Sequence, residues 1–209
     1  MWPSIEPILR DPLFSEYAVT VTGHSLGGAL ASLAALKIAL DKLRPSHQIK
    51  MISFGQPRVG DYQLAVSHNK LVPNSFRVVH RKDIVPHVPP CDKNDSHSID
   101  DSKACDISST DIAYHHLTEV WYPEDMVGGG QYIVCNGHPL GEDMKCSDKL
   151  IFKLSGRKEY VYDHRHYFGH RLPVYGKNGC REVAGVLPRL YGGSKTLNIL
   201  LLIRYLLAK

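Results

Sequence analysis

The hexapeptide Gly23-His24-Ser25-Leu26-Gly27-Gly28 constrains this chain more than any other stretch. A β-prone run, Tyr17 to Thr22, leads into it, and an alanine- and leucine-rich run, Ala29 to Leu43, follows. Strand, sharp turn and helix with a serine at the apex form the Gly-x-Ser-x-Gly nucleophile elbow. The spacing has a steric cause. The serine sits in a strained conformation with its hydroxyl above the sheet, and glycines two before and two after let strand and helix pass without Cβ clashes. The helix then points its N-terminus at the serine, where free N–H groups and the dipole favour a developing oxyanion. The Leu26 N–H is the expected donor. Alone, the pattern would be weak evidence; between a strand and a helix it points to serine-based nucleophilic chemistry.

The 209 residues suffice for one well-buried domain. The net charge of +4 is modest and its basic residues are scattered, which leaves no electrostatic footprint for nucleic acid. No basic start followed by an apolar run is readable as a signal peptide. No run reaches the roughly 20 apolar residues of a membrane span. None of the five cysteines forms Cys-x-x-Cys, and His-Glu-x-x-His does not occur. A zinc site is therefore not expected. Cys91 with Cys105 and Cys135 with Cys146 would close two short polar loops, which suits an oxidising compartment; the alternative is five reduced thiols. Cys180 is left over. Asn94-Asp95-Ser96 is a glycosylation sequon.

Along the chain, residues 1 to 16 are broken by Pro3, Pro7 and Pro12, with helical turns expected at Ser4 to Arg10. Ile49 to Phe54 and Phe76 to His80 read as buried strands, with a helix over Tyr62 to Asn69 between them. Strands alternating with helices predict an α/β fold built on a mostly parallel sheet flanked by helices. Leu117 to Tyr122 and Gln131 to Cys135 predict an antiparallel hairpin at its edge. The acidic stretch from Pro89 to Thr110 fails the calcium-loop pattern, because His97 stands where glycine belongs and Lys103 where glutamate belongs. Lys145 to Gly156 looks irregular, and Asp163 to Gly169 forms a polar–aromatic knot. The run Leu197 to Leu207 is apolar apart from Asn198 and Arg204, and reads as a docked helix or an interfacial segment.

A nucleophilic serine needs a histidine base, and the histidine needs a carboxylate to fix its tautomer. In this fold the chain order is serine, acid, histidine. Asp83 follows a strand directly; Asp61 also follows one but lies deeper in its loop. The chain has twelve histidines; His115, His116, His164, His166 and His170 all lie downstream, and order alone does not choose.

Taken together, Val21 to Ala31, Phe54 to Asp61, Phe76 to His87, His115 to Tyr122 and His164 to Gly169 resemble the class 3, or fungal-type, lipases. The resemblance spans roughly residues 10 to 180, and the cysteine-bearing loops are most similar to nematode members. It implies an α/β-hydrolase domain over 1–180 and a tail, 181–209, with no counterpart. It implies Asp83 as the acid and His164 as the base beside Ser25, with His24 a packed elbow residue and His115 and His116 structural. Gln56 to Asp61 would shape the loop beside the acid. The implied activity is hydrolysis of acylglycerol esters at a lipid–water interface by a secreted enzyme, without a cofactor. Oligomeric state, acyl-chain length and head group are not implied. The family carries several strands, a lid helix and a Gly-Ser or Gly-Thr loop before its elbow, and none of these is matched in the 22 residues before Gly23. The expectation is therefore the C-terminal part of the fold, N-terminally truncated, with an exposed sheet edge. Loss of one oxyanion donor costs about 10²–10³ in turnover. The alternative reading is an inactive lipase-like fragment that binds lipid or a partner.

Overall fold

The structure, a computed structural model, describes residues 2–93, 105–108, 111–127, 129–137, 142–179 and 196–200, the last as backbone. Helix α1 (Trp2–Arg10) precedes strand β1 (Ala18–His24). Helix α2 (Leu26–Leu40), β2 (Ile49–Phe54), α3 (Tyr62–Leu71) and β3 (Ser75–His80) follow in alternation. Then come β4 (Glu119–Tyr122), β5 (Ile133–Cys135) and α4 (Arg157–Arg165). The small hairpin β6 (His166–Tyr167) and β7 (His170–Arg171), α5 (Leu172–Lys177) and β8 (Thr196–Leu200) complete the described chain.

The main sheet has the order β5-β4-β3-β2-β1-β8. All its pairs are parallel except β4 with β5, the expected antiparallel edge hairpin. Val19 and Val21 of β1 and Ile49 and Met51 of β2 point to one face, where α1 and α2 cover them. Ala31, Ala35 and Ile38 of α2 are fully buried there, as parallel strands require cover by helices. Each large side chain so buried contributes about 1.5–3 kcal/mol. α2 begins at Leu26 rather than Ala29. Gly27 and Gly28 are poor helix formers, and their burial against the sheet overrides that preference.

The N-terminal segment is fastened by a buried arginine. The Arg44 guanidinium, just past α2, donates to the carbonyls of Leu9, Phe14 and Tyr17. A second buried polar centre forms around Arg58. Arg58 makes two hydrogen bonds to Glu142, 2.8 and 3.1 Å, and lies 3.5 Å from Asp148. Glu142 also accepts the His115 N–H at 3.1 Å. The disulfides Cys91–Cys105 and Cys135–Cys146 are both present; Cys180 and the sequon at Asn94 lie outside the described residues.

Residues 196–200 form a strand, not a helix or an interfacial segment; 201–207 lie outside the described residues. This strand pairs in parallel with β1 from Ala18↔Thr196 to Thr22↔Leu200, on the edge expected to be exposed. The stretch from 145 to 156 contains two single 3₁₀ turns, Ser147–Lys149 and Leu154–Gly156. Among the described residues no helix is long and apolar enough to cross a membrane.

Candidate active site

Ser25 joins β1 to α2 at φ 57°, ψ −130°, a conformation that non-glycine residues rarely adopt. Close packing imposes it. A Cβ on Gly23 would lie 2.1 Å from the Gly27 carbonyl oxygen, so strand and helix cross where only glycine fits. The Ser25 N–H donates to the Phe54 carbonyl at 2.9 Å and ties the turn to β2. Leu26 opens α2, so its N–H belongs to the first turn, whose amides have no carbonyl a turn earlier to bond.

Asp83 lies three residues beyond β3 and is fully buried. Its carboxylate accepts three donors: the Val85 N–H at 2.9 Å, the Tyr167 hydroxyl at 2.6 Å, and His164 Nδ1 at 3.0 Å from each oxygen. Burial first, and the Asp83 charge second, push the Tyr167 hydroxyl well above its ordinary range, so it remains a donor. His164 sits at the end of α4, with its other nitrogen, Nε2, 2.9 Å from Ser25 Oγ. With the Nδ1–H donating its hydrogen bond to Asp83, Nε2 is free to accept the serine hydroxyl proton. The structure thus brings Ser25, His164 and Asp83 into one hydrogen-bonded line from a half-buried serine to a buried acid, with Leu26 next to the serine in the chain.

The competing candidates stand elsewhere. Asp61 caps α3 by accepting the Leu64 N–H at 2.8 Å. His115 is buried and donates to the Pro86 carbonyl at 2.6 Å; His116 is buried and lies 3.0 Å from the Gln56 side chain. His166 stacks on Tyr162 and His170 lies against Tyr175. In the Gln56–Asp61 loop, Gln56 and Arg58 are buried anchors.

Other contributors escaped the sequence reading. Gly55 has φ +54°, and a Cβ there would lie 2.5 Å from Asp83 Oδ2, 2.9 Å from the Tyr167 hydroxyl and 3.0 Å from His164 Nδ1. The Gly-Gln-Pro-Arg stretch after β2 could have flagged it, since a glycine at a strand's C-terminal end marks a backbone that passes close to something. Tyr167 could have been noticed only by its distance of three residues from His164. Among the described residues, Cys105, Glu142 and Asp148 cluster with metal-like spacing. Cys105 is in a disulfide and Glu142 is held by Arg58, so this donor set is already engaged.

The family model for lipase (class 3) matches residues 1–93. A lipase of Caenorhabditis elegans is 46% identical over 183 residues, covering 86% of this chain and 52% of that protein. A lipase of Rhizopus niveus is 40% identical over 87 residues, covering 40% of this chain and 22% of that one. The chain belongs to the class 3 lipase family. The structure of the Rhizomucor miehei triacylglyceride lipase superposes with a TM-score of 0.59 at 28% identity, covering 80% of this chain and 54% of that one. The fold is that of the α/β-hydrolases. This chain spans about half the length of the nematode relative and a smaller share of the Rhizopus one.

Proposed function

We propose that this class 3 lipase chain is a serine ester hydrolase acting on acylglycerols. The observation that carries the reading is the 2.9 Å contact from Ser25 Oγ to His164 Nε2, continued at 3.0 Å to Asp83. Ser25 attacks the ester carbonyl while His164 takes its proton, and Asp83 steadies the imidazolium. The Leu26 N–H, aided by the α2 dipole, holds the oxyanion of the tetrahedral intermediate. Collapse of that intermediate expels the glycerol oxygen, which takes the proton back from His164, and leaves an acyl-serine. Water, deprotonated by His164, then releases the fatty acid and restores Ser25. No step needs a metal or an organic cofactor.

The substrate class follows from similarity to the triacylglyceride lipase of Rhizomucor miehei. The two disulfides fit an oxidising, extracellular setting. The test is hydrolysis of short- and long-chain 4-nitrophenyl esters by wild type and Ser25→Ala, both checked for folding by circular dichroism. Activity present in the wild type and lost in the variant supports the proposal. A folded wild type without activity overturns it and favours a lipid- or partner-binding role.

A further inference from the structure

His24 immediately precedes the proposed nucleophile and touches the proposed base twice. Its Nε2–H donates to the backbone carbonyl of His164 at 2.7 Å. Its ring stacks on the His164 ring, with centroids 4.6 Å apart and planes 29° from parallel. Its ring also meets that of Tyr167, the residue whose hydroxyl holds Asp83, in a T-shaped contact with centroids 5.6 Å apart. One side chain of β1 therefore grips the end of α4 where His164 sits. That grip matters because α4 lies more than 20 residues beyond β5 in the chain, and its own burial is slight: Tyr160 and Asp163 are its buried residues.

We propose that His24 is a positioning residue: by the hydrogen bond to the His164 carbonyl it sets the distance from His164 Nε2 to Ser25 Oγ. The proposal rests on the ester-hydrolase reading for its kinetic test. His24 faces His164, Asp83 and Tyr167, and burial first, then His164, push its imidazole down to about 4. Above that pH it is uncharged and adds no repulsion to an imidazolium forming on His164. A neutral donor is what the position requires.

Two substitutions separate the bond from the packing. His24→Phe keeps an aromatic ring and removes the donor. His24→Gln removes the ring and places an amide Nε2–H at the same number of bonds from the backbone. The expected result with 4-nitrophenyl esters is a fall in kcat of about 10- to 100-fold for His24→Phe with KM unchanged, since a misplaced reacting group loses rate rather than binding. His24→Gln stays within about threefold of wild type. Thermal melts verify that both are folded. Unchanged kcat in a folded His24→Phe, or equal losses in both variants, overturns the proposal. If wild type hydrolyses no ester, the functional reading fails and the NMR signal of the His164 Nδ1 proton decides. Loss of that signal in His24→Phe with retention in His24→Gln supports the positioning role, and any other pattern contradicts it.

Discussion

Gly55 shows at the scale of one residue how little room the site leaves. Its positive φ and the carboxylate 2.5 Å from where a Cβ would be make every substitution both strained and obstructive. Gly55→Ala is expected to cost about 1–3 kcal/mol in stability from the backbone alone. It should also push Asp83 or His164 off its contact and lower kcat/KM by about 100-fold. Denaturant unfolding and ester hydrolysis measure the two effects. An alanine variant with wild-type kinetics would show that the Asp83–His164 contact tolerates movement. Ser25 was legible from its neighbours because the elbow's glycines answer a local steric need. Asp83 was narrowed to two candidates by its place after a strand. His164 was not separable from the other downstream histidines by order, because what selects it is a tertiary contact between the end of α4 and the elbow. The family resemblance selected it instead.

At the scale of elements, the alternating strands and helices of the first 80 residues were readable, since buried parallel strands and an Ala/Leu-rich helix have strong patterns. α4 was not. Its sequence, Arg157-Lys158-Glu159-Tyr160-Val161-Tyr162-Asp163-His164-Arg165, is mostly charged and buries two residues, so no apolar stripe announces it. β8 was misread for a different reason. A continuous apolar run does not distinguish a buried strand from a helix, and only the open edge of β1 decides. The joint between α1 and the sheet depends on Arg44, whose guanidinium serves the carbonyls of Leu9, Phe14, Tyr17 and its neighbour Leu43 from one buried position. Arg44→Met is expected to leave those carbonyls unpaired and to destabilise by about 2–4 kcal/mol. Denaturant unfolding measures this, and Arg44→Lys should recover part of the loss. A change below about 0.5 kcal/mol would mean that water replaces the guanidinium.

The whole molecule is predicted to be sensitive to acid. His68 stacks on His116 at 3.8 Å, and both are buried with Arg77, Gln56 and Ser75 nearby. Burial, with Arg77 adding to it, lowers His68 from its ordinary 6.5 to about 4. Burial and the neighbouring charges hold His115 and His116 well below 6.5 as well. A depressed folded value means the unfolded chain takes up protons first. The stability is therefore fully present above about pH 6.5 and is lost as pH falls toward 4. For His68 the gap from 6.5 to about 4 corresponds to roughly 3 kcal/mol. Denaturant unfolding between pH 7 and pH 4.5 should show a steep fall, shallower in His68→Gln. A flat profile would contradict the burial of these rings in solution.

The central claim is that these elements hold Ser25 as an activated nucleophile. Labelling with a fluorophosphonate probe, with the adduct located by mass spectrometry, tests it most directly. A covalent adduct on Ser25, absent in Ser25→Ala and formed at least tenfold more slowly in His164→Ala, is the predicted result. A folded wild-type chain that takes up no label at Ser25 would contradict the account.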